Sequence, residues 1–123
     1  MSKKKILVVD DSKTAMFMVT TILRKGSYQV ITADDGQRAV EVAVSERPDL
    51  ILMDVIMPRM TGFEACRELR QRDETKTTPI ILVTTRGEAE NIETGFDSGC
   101  TDYVTKPING QELLAKVRDH IAA

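Results

Sequence analysis

Ile6-Leu7-Val8-Val9-Asp10-Asp11-Ser12 decides how the chain is read. Four aliphatic residues, three of them β-branched, run without a polar break into two adjacent carboxylates and a serine. A short continuous apolar run of this kind reads as a strand buried on both faces, the hallmark of a parallel sheet covered by helices. The next stretch of chain agrees. From Ser12 to about Lys25, Ala15, Met18, Val19, Ile22 and Leu23 fall at i, i+3, i+4, i+7 and i+8, one face of a helix. Ser12 is placed to cap its start and Gly26 to stop it.

Working outward, the same unit recurs. Tyr28 to Thr32 reads as a second strand, Asp35-Gly36 as a turn, and Ala39, Val40, Ala43 and Val44 as the apolar face of a second helix. Leu50-Ile51-Leu52-Met53 is a third strand, and Phe63, Cys66 and Leu69 trace a third helix. Pro79 precedes Ile80-Ile81-Leu82-Val83, a fourth strand; Ala89, Ile92 and Phe96 suggest a fourth helix ending near Gly99. Tyr103-Val104 is a brief fifth strand, and Leu113, Leu114, Val117 and Ile121 mark a final helix. Five strand–helix units in strict alternation predict an α/β fold, a parallel sheet with helices on both faces joined by right-handed crossovers. No linker, low-complexity stretch or internal repeat interrupts them, so residues 1–123 are read as one domain with no output domain attached.

Composition narrows the function classes. Of 123 residues 41% are hydrophobic and 29% charged, a balance that excludes a disordered chain. A net charge of -2 gives no basic face for nucleic acid, and Lys3-Lys4-Lys5 reads as a solvated lead-in to the first strand. Cys66 and Cys100 lack metal-ligand spacing and read as free core thiols of a reducing compartment. No apolar run approaches the roughly 18 residues of a membrane span, and Ile6 to Val9 is too short for a signal peptide. A cytoplasmic protein without membrane insertion is expected. His120, near the chain end, is expected to be solvated, and Met57 and Met60 flank the loop after the third strand, where partial exposure is expected.

The chemistry lies in what ends each strand. The first runs into Asp10-Asp11, the third into Asp54, the fourth into Thr84 and the fifth into Lys106-Pro107. In a parallel sheet these C-terminal ends share one edge, where open α/β sheets bind their ligands. Clustered carboxylates repel one another, and a divalent cation resolves the repulsion. With no histidine or thiolate in the set, a hard ion suits it. Mg²⁺ uses one or two carboxylates, waters and a phosphate oxygen. Lys106 adds a positive charge for a phosphoryl group and Thr84 a hydroxyl for one of its oxygens. One carboxylate can then be the nucleophile. Asp54 is the best candidate, because the adjacent pair Asp10 and Asp11 suits metal binding together.

Val9-Asp10-Asp11-Ser12, Leu52-Met53-Asp54-Val55, Met57-Pro58, Gly62, Val83-Thr84 and Asp102-Tyr103-Val104-Thr105-Lys106-Pro107 together resemble the response-regulator receiver domain, the CheY-like module of two-component signalling. The resemblance covers essentially the whole chain. It implies the flavodoxin-like strand order 2-1-3-4-5. It also implies a role for each matching residue. Asp54 is the phosphoacceptor, Asp11 the direct carboxylate ligand of Mg²⁺, and Asp10 its neighbour acting largely through water. The backbone carbonyl of Ile56 is the main-chain ligand. Thr84 is the hydroxyl switch, Lys106 holds the phosphoryl group, Tyr103 is the switch aromatic, and the Lys106-Pro107 bond is cis. A histidine kinase or phosphotransfer protein is the implied donor, and a downstream protein is contacted through the fourth helix, fifth strand and fifth helix, around Ile92, Tyr103 and Lys116. The chain is then a monomer or a weak phosphorylation-dependent dimer, not an enzyme beyond self-catalysed phosphotransfer and slow autodephosphorylation.

Other classes fit less well. A haloacid-dehalogenase-type phosphatase wants Asp-x-Asp after the first strand, where Asp10-Asp11-Ser12 stands. A flavodoxin-like mononucleotide binder needs a phosphate cradle there, which Asp10-Asp11 would repel. A degenerate receiver signalling without phosphate conflicts with the intact set of Asp10, Asp11, Asp54, Thr84 and Lys106. Compared with the chemotaxis protein of the resembled family, Ile56 replaces Asn, Thr85 replaces Ala and Arg86 replaces Glu. Ile56 cannot hydrogen-bond an attacking water, Arg86 cannot act as a base, and Thr85 adds bulk. Slow self-dephosphorylation is therefore expected. Single-turnover decay should quicken in Ile56→Asn/Arg86→Glu, and a double variant no faster than its parent would remove these side chains from control of the rate.

Overall fold

Strand β1 (Lys5–Val9) is joined on one side to β2 (Gln29–Ala33) and on the other to β3 (Leu50–Asp54), which pairs with β4 (Ile80–Thr85) and it with β5 (Asp102–Lys106). All four ladders are parallel, and the order is 2-1-3-4-5. This is the order the resemblance implies. Helices α1 (Lys13–Lys25), α2 (Gly36–Glu46), α3 (Gly62–Arg70), α4 (Ala89–Asp97) and α5 (Gly110–Ile121) each follow the strand of the same number. The computed structural model describes residues 3–85 and 89–121, without the side chains at 85 and 89–91. Among these residues no helix is long and apolar enough to cross a membrane.

The continuous apolar strands are explained by the two cores they feed. Leu7, Val9, Ile51, Met53, Ile80 and Leu82 face one way and pack with Ala39, Val40 and Ala43 of α2 and Ala65, Cys66 and Leu69 of α3. The alternate residues Ile6, Val8, Leu50, Leu52, Ile81, Val83 and Val104 face the other way, onto Val19 and Leu23 of α1 and Leu113 and Val117 of α5. Each strand residue therefore points into one of two dry layers, and a polar side chain is tolerated only where the strand leaves them. The edge strands are the exceptions: Gln29 and Thr32 of β2 are exposed, and of β5 only Val104 is buried.

Local chemistry sets the element ends. Ser12 caps α1, its hydroxyl accepting from the Ala15 amide at 3.3 Å. Thr61 and Glu64 form a reciprocal capping box at the start of α3. Asp35-Gly36 is not a free-standing turn: Asp35 is the N-cap of α2, accepting from the Arg38 amide at 2.8 Å. Arg70, at the end of α3, donates to the carbonyls of Gly99, Thr75 and Thr78 and so ties two loops to the helix. Both cysteines are free and buried; burial pushes the Cys66 thiol up and the Cys100 thiol up to about 12, so neither is poised to react. Met57 is buried at 7% exposure, not half-open as its loop position suggested, while Met60 is half-buried against the same core.

Gly62 ties α3 to the end of β3. Its amide donates to the Val55 carbonyl at 2.8 Å, and a Cβ there would lie 2.3 Å from the Asp54 carbonyl oxygen and 3.0 Å from Val55 Cα. Those neighbours are main chain and cannot rotate away. Gly62→Ala should therefore cost about 1–3 kcal/mol of stability, the usual range for an overpacked site, in urea denaturation. An unchanged midpoint would show that the β3–α3 connection yields without resistance.

Candidate functional site

The register brings the strand ends together. Val9 pairs with Met53 and Asp54 with Val83, so Asp10, one residue beyond Val9, lies level with Asp54. Thr84 pairs with Thr105, and Thr85 with Lys106. The chain thus delivers Asp10, Asp11, Asp54, Thr84 and Lys106 to one edge of the sheet.

One carboxylate oxygen from each of Asp10, Asp11 and Asp54 lies within 4.8 Å of the others. Asp10 and Asp54 are buried, at 7% and 8% exposure, whereas Asp11 is open to solvent. Each buried carboxylate is oriented by main chain. Asp54 Oδ1 accepts from the Val55 amide at 2.8 Å, and Asp10 Oδ1 from the Ser12 amide at 2.9 Å. Lys106 Nζ reaches Asp54 Oδ2 at 3.1 Å. Thr84 is 3% exposed. The Lys106-Pro107 peptide is cis. Burial pushes the Asp10 carboxyl above its ordinary value, with the charges of Asp54 and Asp11 adding to the effect, while the Ser12 amide and Lys106 oppose it.

This donor set fits a hard divalent ion. It is all oxygen, and among the described residues its negative charge exceeds that of the Lys106 ammonium and no imidazole or thiolate joins it. The Ile56 side chain is 70% exposed, which leaves its carbonyl to be placed by the loop backbone. Of the other two positions expected to tune the rate, Arg86 and the Thr85 side chain lie outside the described residues.

A second cluster lies on β5 and α5. Tyr103 is half-buried, its ring edge-to-face with Phe96 at 6.1 Å and 87°. Lys116 Nζ sits 4.6 Å from the Tyr103 ring centroid, donates to the Tyr103 carbonyl and pairs with Asp102 Oδ1 at 3.2 Å. His120 is not solvated. Its Nε2 lies 3.0 Å from Asp102 Oδ2, and the side chain is 23% exposed. Burial works against ionisation of Asp102, but hydrogen bonds from His120, the Tyr103 amide and Lys116 outweigh it and hold the carboxyl below its usual range. Sequence reading singled out Tyr103 and Lys116 but missed Asp102 and His120 as partners, because nothing in a lone Asp and a lone His 18 residues apart marks them as neighbours.

Residues 6–118 match the family model for the response regulator receiver domain. The chain belongs to this family. It is 40% identical to the protein PilH of Pseudomonas aeruginosa over 118 residues, covering 96% of this chain and 98% of that one. It spans about half the length of other curated relatives, such as the alkaline phosphatase synthesis transcriptional regulatory protein PhoP of Bacillus subtilis, 40% identical over 115 residues. Among solved structures, the chemotaxis response regulator CheY4 of Vibrio cholerae superposes with a TM-score of 0.91 at 38% identity, over 98% of this chain and all of that one. The receiver domain of the sensor histidine kinase PA1611 of Pseudomonas aeruginosa, solved with a magnesium ion coordinated in its active-site cleft, gives 0.92 at 31% identity, over 99% of this chain and all of that one. The chain is thus a receiver domain of two-component signalling, and its acidic cluster lies at the edge where that architecture gathers its strand ends.

Because the folded site raises the Asp10 pKa, its ionisation opposes folding. The penalty is full above the folded value, declines as pH falls toward the unfolded value and is gone below it. Asp10→Asn should therefore raise the urea midpoint of the metal-free receiver at neutral pH, and the gain should vanish in acid. A variant less stable than the parent at pH 7 would show that the hydrogen bond to Ser12 outweighs the cost of burying the charge beside Asp54 and Asp11.

Proposed function

We propose that this receiver is a phosphorylation-dependent switch that accepts a phosphoryl group on Asp54. Asp10, Asp11, Asp54 and the Ile56 carbonyl are the residues that would hold Mg²⁺. The observation that carries the proposal is the Lys106–Asp54 contact of 3.1 Å beside three carboxylate oxygens within 4.8 Å of one another. Such an arrangement suits a group that is itself anionic and must be delivered to an anion.

Phosphoryl transfer asks the protein for positioning and charge neutralisation more than for bond-making. When bound, the cation supplies positive charge against the developing negative charge on the phosphoryl oxygens. The rest falls to the chain. Val55's amide fixes the plane of the Asp54 carboxylate. One carboxylate oxygen attacks phosphorus in line as the bond from phosphorus to the donor nitrogen breaks, and the donor imidazole keeps that electron pair and takes up a proton. Lys106, already at Asp54 Oδ2, moves its ammonium onto a phosphoryl oxygen. Thr84 offers its hydroxyl to another, and drawing it there biases Tyr103 and the β5–α5 face. Asp54 is consumed, so the chain is a substrate of its own chemistry and not a turnover enzyme. A histidine kinase or phosphotransfer protein is the donor. The surface bearing Ile92, Phe96, Tyr103 and Lys116 is the outlet to a downstream protein. The magnesium-bound PA1611 receiver, similar over nearly the whole chain, supports the choice of ion.

Treatment with a small acyl phosphate and Mg²⁺ should add one phosphoryl group by intact mass spectrometry. Asp54→Ala should abolish the adduct. Thr84→Ala should still be phosphorylated but lose most of the phosphate-dependent amide shifts at residues 102–116. An adduct that survives in Asp54→Ala would place the nucleophile elsewhere, and full shifts in Thr84→Ala would break the link between hydroxyl and face.

A further inference from the structure

Two of the side chains that would hold the cation are placed by the sheet, whereas the carbonyl of Ile56 is placed by a loop. Asp54 is the last residue of β3 and Asp10 follows the last residue of β1, both in register with buried neighbours. Ile56 has no such anchor, since its own side chain is 70% exposed. What holds the loop between β3 and α3 therefore decides where that carbonyl points.

Two contacts do so from the N-terminus of α2. Arg59 Nε donates to Asp35 Oδ2 at 3.2 Å, and the Asp35 side chain is only 8% exposed. The other oxygen of the same carboxylate accepts from the Arg38 amide and caps α2. Arg59 has φ 68°, in the left-handed region that favours glycine, and its side chain is 62% exposed, so the contact with Asp35 sits at the surface end of the pair. Gly36, the first residue of α2, lies so close that a Cβ there would meet the Met60 carbonyl oxygen at 2.5 Å. On its inner side the loop is held by buried Met57.

We propose that Asp35 and Arg59 form a clasp that positions the β3–α3 loop for cation binding. Asp35 is then a positioning residue with two functions, one oxygen capping α2 and the other holding the loop that carries the Ile56 carbonyl. By reciprocity, a cation on that carbonyl favours the closed clasp and so ties the site to α2, away from the β5–α5 face. This role rests on the cation-dependent function proposed above.

The two functions of Asp35 can be separated. Asn caps a helix about as well as Asp, so Asp35→Asn keeps the cap and removes the charge facing Arg59. Arg59→Gly removes the other half and accepts φ 68° without strain. Mg²⁺ titration followed by amide shifts at residues 10–12 and 54–60 should show each variant binding about tenfold more weakly, the lower end of the loss seen when a supporting partner is removed. The double variant should be no weaker than either single one, since each breaks the same contact. Urea midpoints without metal should remain close to the parent for Asp35→Asn. Parental Mg²⁺ affinity in both single variants, or additive losses in the double, would overturn the clasp while leaving the metal site standing. A parent chain that does not respond to millimolar Mg²⁺ would overturn both.

Discussion

Like charges held together at the end of strands that cannot move apart are the constraint on which the rest of this receiver depends. Asp10 and Asp54 extend from β1 and β3, whose residues Leu7, Leu50, Ile51 and Met53 are wholly buried. The main chain that carries them could retreat only by breaking a parallel ladder sealed on both faces. The raised Asp10 carboxyl reflects this placement: burial is the larger cause, and the charges of Asp54 and Asp11 add to it. Lys106 answers part of the repulsion from β5. Among the described residues the cluster keeps negative charge in excess, which is the character of a hard-cation site.

The two-layered core makes such a demand tolerable. The inner strands β1, β3 and β4 alternate their side chains between the layer of α2 and α3 and the layer of α1 and α5, so their ends are held by buried residues on both faces. The connections are then short and tightly seated. Gly62 lies against the Asp54 carbonyl and Gly36 against the Met60 carbonyl. Loops carry the groups that have to adapt, and the strands carry those that have to stay.

Distance along the ladder explains why β5 serves both the site and the outer face. Thr84 pairs with Thr105, and Leu82, two residues earlier, pairs with Tyr103. The step from the hydroxyl to the level of the aromatic is about 7 Å along the strand. At that level Tyr103 meets Phe96 and Lys116, and Asp102 gathers Lys116 and His120. Thr84 and this half-buried polar and aromatic cluster are therefore separated by only two residues along the sheet.

By itself the sequence determined the alternating architecture and the membership of the site. Both are written in local pattern: four-residue aliphatic runs, helical spacing of apolar residues, and a polar residue where each strand ends. Parallel strands align their ends, so a list of strand-terminal residues becomes a list of residues on one edge of the sheet. The strand order came only with the family resemblance, because spacing alone does not say which strands pair. Tertiary structure alone decided the pairs that join different elements: Arg59 with Asp35, 24 residues apart, His120 with Asp102, 18 apart, and Arg70 with Gly99, 29 apart. Sequence reading took Asp35 for part of a turn and His120 for a solvated residue. Each carries an ordinary local signal, and its partner is set by how two helices or loops seat on the sheet. Such seating follows from the sum of many apolar contacts, and no single residue type announces it.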